Sequence, residues 1–429
     1  MSVGVATPSA SPVLPLWRDP LAWARTADIF AVLIALSLPW STSLVAIFAV
    51  VWLITAVPAL DPRSFVASLK RPICAAPIAL FVLALAGTLW SDAPWAARLY
   101  AISPTAKLLV LPVLFYHYER SARGMWVFAA FLLSCILLMA MSWVVAFHPT
   151  LALKAGAEYG VPVKNYIDQS QEFALCAVTL AYPIVTQLRA KKMLLAVLLF
   201  AVSVSFVANM VFVIVSRTAL VTMPIMLVIF ALLHLKWRTN VIIFCAVVAL
   251  AMLAWAASPK LQWTTETFRR DYDIYMERDE PTSIGLRLEF WRKSLRFFAE
   301  SPIAGHGTGS TRGLFEQAAT GPEVLASGQV IGNPHNQTLN VAVQWGIIGI
   351  AVLYAIWWFH LLLFRGEGLV AWIGFMVVTQ NILTSLLNSH IFDFHEGWMY
   401  TIGVGVAGGM LQNKRSPMAI AGQENSVKP

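Results

Sequence analysis

Apolar runs of about 20 residues, the length an α-helix needs to cross the hydrocarbon core of a bilayer, alternate with short polar breaks along most of this 429-residue chain. Reading each run as one helix predicts about twelve membrane helices. They lie near 21–40, 42–60, 73–90, 101–118, 125–147, 172–188, 193–215, 218–235, 241–257, 338–364, 369–387 and 398–411. The run after Arg189 is interrupted only by Ser216-Arg217-Thr218 and is divided there, because one span cannot be so long. One stretch departs from the pattern: 258–337 is the only long polar segment. The predicted organisation is a tail at 1–20, nine membrane helices in 21–257, a large loop at 258–337, helices ten to twelve in 338–412, and a second tail at 413–429. The fold class is therefore an all-α polytopic membrane protein.

Inside the loop, Leu288, Trp291, Leu295 and Phe298 recur at helical spacing. They predict an amphipathic helix over 283–300, with Ser283 as its N-cap and Ser301-Pro302 as its end. Arg292, Lys293 and Arg296 fall on its other faces, as in a helix lying on lipid phosphates. Arg287 stands apart from that cluster, in the first turns.

Composition agrees with the pattern: 59% of residues are hydrophobic and 12% charged, against roughly 25% charged in soluble domains. The net charge of +8 does not indicate nucleic acid, because the basic residues gather in short loops. Arg63, Lys70 and Arg71 share one such loop; Arg120 and Arg123, Arg189 with Lys191 and Lys192, Lys236 with Arg238, Arg365, and Lys414-Arg415 fill the others. These alternate along the chain, so the positive-inside rule puts both termini in the cytoplasm and 258–337 outside. No basic-then-apolar leader with a cleavage site opens the chain, so no removed signal peptide is expected. The four cysteines all lie in apolar runs and suggest no disulfide framework.

Chemistry is therefore sought at the outer face. Arg217 interrupts an apolar run with no acid within ten residues, either snorkelling or facing a cavity. His335, in Asn333-Pro334-His335-Asn336, sits where the chain re-enters the bilayer, as a base near neutral pH or as a polar helix cap. Lys107 lies inside the fourth span. The glycines at 305, 307 and 309 offer backbone N–H groups for a phosphate or simply a turn, and they lack the G-K-[ST] of a P-loop. Asp271-Tyr272-Asp273 and the group His390, Asp393, His395 and Glu396 are possible metal ligands without a zinc signature. No metal or cofactor is expected.

Several motifs occur in a telling order: S-R-T-A from Ser216, R-L-E-F-W from Arg287, S-P-I-A-G-H-G-T-G from Ser301, then P-H-N-Q-T-L-N and W-G-I-I-G. Together they resemble the bacterial O-antigen ligase and polymerase superfamily. Arg98 and Lys107, in P-W-A-A-R-L-Y-A-I-S-P-T-A-K-L-L, are similar to its N-terminal half. The resemblance implies a GT-C-type glycosyltransferase architecture with the large periplasmic loop between helices nine and ten. It also implies an inner-membrane enzyme that takes O-antigen from undecaprenyl diphosphate at the periplasmic face and joins it to lipid A–core. The family's two arginines correspond to Arg217 and Arg287 and its histidine to His335. Lys107, Arg98 and Asn336 are further expected binding residues, beside a catalytic set of His335, Arg217 and Arg287. A polymerase, another lipid-linked glycan ligase, and a twelve-helix transporter are the alternatives; a transporter would usually show two related halves, and these halves look unlike.

Overall fold

In a computed structural model, residues 19–154 and 158–415 are described, and within them the regular structure is helical throughout, with no strand. Most of both expected tails lies outside that range. The first helices are α1 (Pro20–Ser37), α2 (Thr42–Ala56), α3 (Pro62–Leu69) and α4 (Pro72–Ala86). A 3-10 turn at Lys107–Leu109 joins α5 (Trp95–Ala106) to α6 (Val110–Tyr118), and α7 spans Gly124–Phe147. Then come α8 (Tyr166–Thr179), α9 (Ala181–Arg189), α10 (Met193–Phe212), α11 (Arg217–His234) and α12 (Trp237–Ala257). The polar segment holds α13 (Pro259–Arg278), α14 (Ser283–Glu300) and α15 (Thr311–Gln317), and α16 (Gln337–Leu363), α17 (Leu369–Thr384) and α18 (Phe394–Arg415) complete the chain.

Among the described residues, eight helices are long and apolar enough to cross a membrane, or nine if α3 and α4, bent by 78°, form one broken span. The remaining expected spans are also helical but depart from the simple pattern. The 172–188 span is split into α8 and α9, and α17 has only 16 residues. In α18 every residue from 395 to 409 is buried. It is lined with glycine: a Cβ on Gly405, Gly408 or Gly409 would collide with Leu114, Phe115 or Tyr118 of α6. Small residues let two helix backbones approach closely where no solvent drives association. A helix surrounded by protein needs no apolar face toward lipid. By contrast α12 lies at the periphery, with none of its best 18-residue window buried.

The loop segment is more ordered than the sequence suggested. The amphipathic helix has the expected bounds, but its N-cap is Thr282, which accepts from the Gly285 N–H at 3.1 Å. An unexpected helix, α13, precedes it, started by Ser258 as N-cap and Pro259 at N1. The two pack as a hairpin. Gly285 meets the Tyr275 ring, Thr282 Oγ1 donates to the Asp271 carbonyl at 2.7 Å, and Tyr275 OH donates to Glu289 at 2.9 Å.

The glycine-rich stretch is a clamp on α16. Helix α16 is broken at Gly346 (φ 59°, ψ −152°), a conformation that essentially only glycine adopts. The N–H groups of Ile347 and Ile348, freed by the break, donate to the carbonyls of Pro302 and Ile303 at 2.8 and 3.4 Å. In return, the N–H groups of His306 and Gly307 donate to the carbonyls of Val343 and Gln344 at 2.9 and 2.8 Å. Backbone groups committed to this joint are not free to cradle a phosphate. The joint fixes the end of α14 against the first half of α16.

Candidate active site

Arg217 and Arg287, 70 residues apart in sequence, line one cavity of about 300 Å³. Its wall is built from helix starts: Tyr166 and Ile167 of α8, Arg217 and Thr218 of α11, Lys260 and Trp263 of α13, Ser283 and Arg287 of α14. Each helix start brings the positive end of the macrodipole, while side-chain caps at Asn165, Ser258 and Thr282 already take first-turn N–H groups of α8, α13 and α14. Four of them converging on one space, with three cations against one acid, Glu158, make it favourable for an anion.

The two arginines differ in their partners. Arg217 donates to Asp271 at 3.1 Å and to Thr267 Oγ1 at 2.8 Å, both on α13. The acid that its sequence neighbourhood lacks thus comes from another helix. Arg287 reaches only Ser283 Oγ at 3.4 Å, and among the described residues it has no carboxylate within 4.0 Å. Burial, with the positive charge of Arg217 adding to it, pulls its pKa below the usual guanidinium range, while Tyr166 opposes this. A guanidinium remains charged under any such shift. A half-buried guanidinium without a carboxylate partner, in one cavity with a second guanidinium, has the donors to receive an oxyanion.

His335 lies outside the lining of this cavity but beside the same helix. Its ring stacks on Phe290, with centroids 6.1 Å apart, and Phe290 is one turn beyond Arg287 on α14. His335 has φ 52°, held because its N–H donates to Asn333 Oδ1 at 3.0 Å. Its Nδ1 is 2.9 Å from Asn388 Oδ1, while Asn388 Nδ2 donates to Asp393 Oδ2 at 2.8 Å. An ionised carboxylate only accepts, so Asp393 sets the amide with its oxygen toward the histidine. His335 Nδ1 is then the donor to Asn388, and in the neutral ring this leaves the lone pair on Nε2, as a general base requires.

The other expected binding residues sit elsewhere. Lys107 Nζ donates to the carbonyls of Phe392 and Asp393, so it belongs to the His335–Asn388–Asp393 side. Asn336 caps α16, accepting from the Leu339 N–H at 3.0 Å and donating to the Leu386 carbonyl at 3.0 Å. Arg98 staples the turn before α5 through the carbonyls of Ala93 (2.6 Å) and Thr88 (2.8 Å). Lys260 and Asn388 had no motif to mark them in the sequence.

The two acid clusters differ in geometry. Asp271 and Asp273 do not converge, since two positions apart on a helix point to opposite sides: Asp271 pairs with Arg217, and exposed Asp273 lies 3.9 Å from Arg269. His390, Asp393 and Glu396 offer ligand atoms that all lie within 4.8 Å of one another, enough to hold a metal ion. His390 Nδ1 is 3.4 Å from Asp393 and 3.5 Å from Glu396. Burial alone would lower its pKa, but these carboxylates prevail and push it up to about 9.

Residues 200–354 match the family model described as O-antigen ligase. The matched segment runs from α10 into α16 and contains Arg217, Arg287 and His335. A curated protein of Haemophilus influenzae, described only as "Uncharacterized protein", is 24% identical over 146 residues, which is 33% of this chain and 37% of that protein.

Proposed function

We propose that this member of the O-antigen ligase superfamily is a metal-independent glycosyltransferase. It moves O-antigen from undecaprenyl diphosphate to a sugar hydroxyl of lipid A–core at the periplasmic face of the bacterial inner membrane. The proposal includes a GT-C-type arrangement of about twelve spans, with α18 and the split α8–α9 pair counted among them, and both termini in the cytoplasm. The observation that carries it is the cavity where Arg217 and Arg287 meet four helix starts.

The chemistry follows from charge. The glycosyl C1–O bond to the diphosphate breaks, and the acceptor oxygen forms the new bond to C1. The departing diphosphate gains negative charge, which two fixed guanidinium groups and the helix starts stabilise without reorganisation. The acceptor hydroxyl gives its proton to Nε2 of His335. A single displacement from the face opposite the diphosphate inverts the anomeric centre. His335 lies one turn along α14 from Arg287, so acceptor and leaving group would occupy neighbouring but separate places. The polyprenyl chain would remain in lipid or against apolar helix faces.

A polymerase or another lipid-linked glycan ligase would use the same donor chemistry, so the acceptor decides among them. The test is purified protein in nanodiscs with lipid-linked O-antigen and, separately, lipid A–core or a second lipid-linked repeat as acceptor. Transfer to lipid A–core is expected. Extension of the lipid-linked repeat instead would make the protein a polymerase, and substrate movement across the bilayer without bond formation would make it a transporter.

A further inference from the structure

Resting on the reading of the cavity as a diphosphate site, we infer that Lys260 is its third cation and binds the second phosphate of the lipid-linked donor. Lys260 stands at the second position of α13 and lines the cavity with Arg217 and Arg287. Its ammonium donates to the Val213 carbonyl and lies 5.0 Å from the centre of the Tyr159 ring. Among the described residues it has no carboxylate within 4.0 Å; burial lowers its pKa from the usual lysine value, and the charge of Glu158 opposes this. A carbonyl and a ring hold an ammonium in place without neutralising it. The ammonium of Lys260 is therefore left without a carboxylate partner and open to an incoming anion.

The charges match the ligand. The cavity wall carries three cations, Arg217, Arg287 and Lys260, and one acid, Glu158, with Asp271 paired to Arg217 beside it. A lipid diphosphate esterified to a sugar carries two ionised phosphate oxygens. Without Lys260, Arg287 would be the one wall cation free of a carboxylate partner among the described residues, against the two charges of the donor. Arg217 is also tied to Asp271, so Arg287 and Lys260 are the two cations free of a carboxylate partner. Lysine acts here as a mobile point charge, whereas the planar forks of the arginines suit an oriented leaving oxygen. The phosphate that Lys260 meets does not change its bonds to carbon during transfer. Its interaction is therefore made equally in ground and transition states and should appear in KM rather than kcat.

The test is binding of undecaprenyl diphosphate to full-length protein in nanodiscs, by microscale thermophoresis, for wild type, Lys260→Gln, Lys260→Arg and Arg287→Gln. Loss of one exposed charge-assisted contact should weaken Lys260→Gln about tenfold, and Lys260→Arg should restore most of the binding. In the transfer assay, Lys260→Gln should raise the donor KM by a similar factor with kcat little changed. If Lys260→Gln binds as wild type does while Arg287→Gln binds poorly, the diphosphate site stands and the assignment of Lys260 is overturned. If Arg287→Gln also binds as wild type does, the reading of the cavity itself fails.

Discussion

The tautomer of His335 is set by a neighbour that makes no contact with substrate in the proposed reaction, and replacing Asn388 tests that arrangement. Asn388→Leu keeps the branched shape and removes both the amide oxygen and the amide NH2. His335 Nδ1 then loses its acceptor at 2.9 Å, and Asp393 loses the donor at 2.8 Å. A neutral hydrogen bond of this kind contributes about 0.5–1.5 kcal/mol, which corresponds to roughly a two- to thirteen-fold change in rate. The freed ring can also carry its proton on Nε2, where it cannot act as base. The expected outcome is a kcat about tenfold lower with donor KM unchanged, since the arginine cavity is untouched. Removing the base altogether in His335→Ala should cost more, about 10²–10⁴ in rate. Asn388→Asp should retain the Nδ1 proton while adding a negative charge, which raises the histidine pKa and moves the acid limb of the pH–rate profile upward. Single-turnover transfer with saturating lipid-linked donor, measured across pH, reads all three. Wild-type rate and an unshifted profile in both Asn388 variants would refute the tautomer argument.

Arg217→Lys and Arg287→Lys keep the charge but lose the fork; each should insert normally yet lose roughly a hundred- to thousand-fold in transfer, or about 2.7–4 kcal/mol, and near-normal transfer would make them interfacial anchors. His335→Ala should still bind undecaprenyl diphosphate, so that cells accumulate lipid-linked glycan above bare lipid A–core, whereas lost binding would move the histidine to the diphosphate side. Purified enzyme should keep transferring in excess chelator; abolition by chelator with rescue by a divalent ion would turn attention to His390, Asp393 and Glu396. Reporter fusions after Lys260 or Arg312 should read periplasm and after Lys192 cytoplasm, and the reverse would overturn the proposed orientation. Gly346→Ala places a Cβ 2.3 Å from the Ile303 carbonyl oxygen at φ 59°, so a drop in folded yield from membranes is expected, at a cost of at least about 1–3 kcal/mol.

The helical, membrane-spanning character of the chain is written in its local sequence, because crossing a bilayer is a demand on composition over about 20 consecutive residues. The bounds of α14 were legible for a similar reason: its apolar stripe and the proline after Ser301 are near-neighbour signals. Helix α13 was missed because its apolar residues, Leu261, Trp263, Phe268, Ile274 and Met276, are scattered among charged and polar ones, and only Ser258-Pro259 announces it. Helix α18 departs from the simple picture because burial is a property of its surroundings: glycines that lower its hydropathy are what bring it against α6. At the site, the motif order pointed to Arg217, Arg287 and His335 as separate residues. It did not contain the pairing of Arg217 with Asp271, the absence of a carboxylate partner for Arg287, or the Asp393–Asn388–His335 chain. Those relations join residues 54, 53 and more positions apart. Charge state and tautomer depend on what lies within a few ångströms, and for these side chains only the packing of α11 on α13, and of α16 on the loop before α18, decides that.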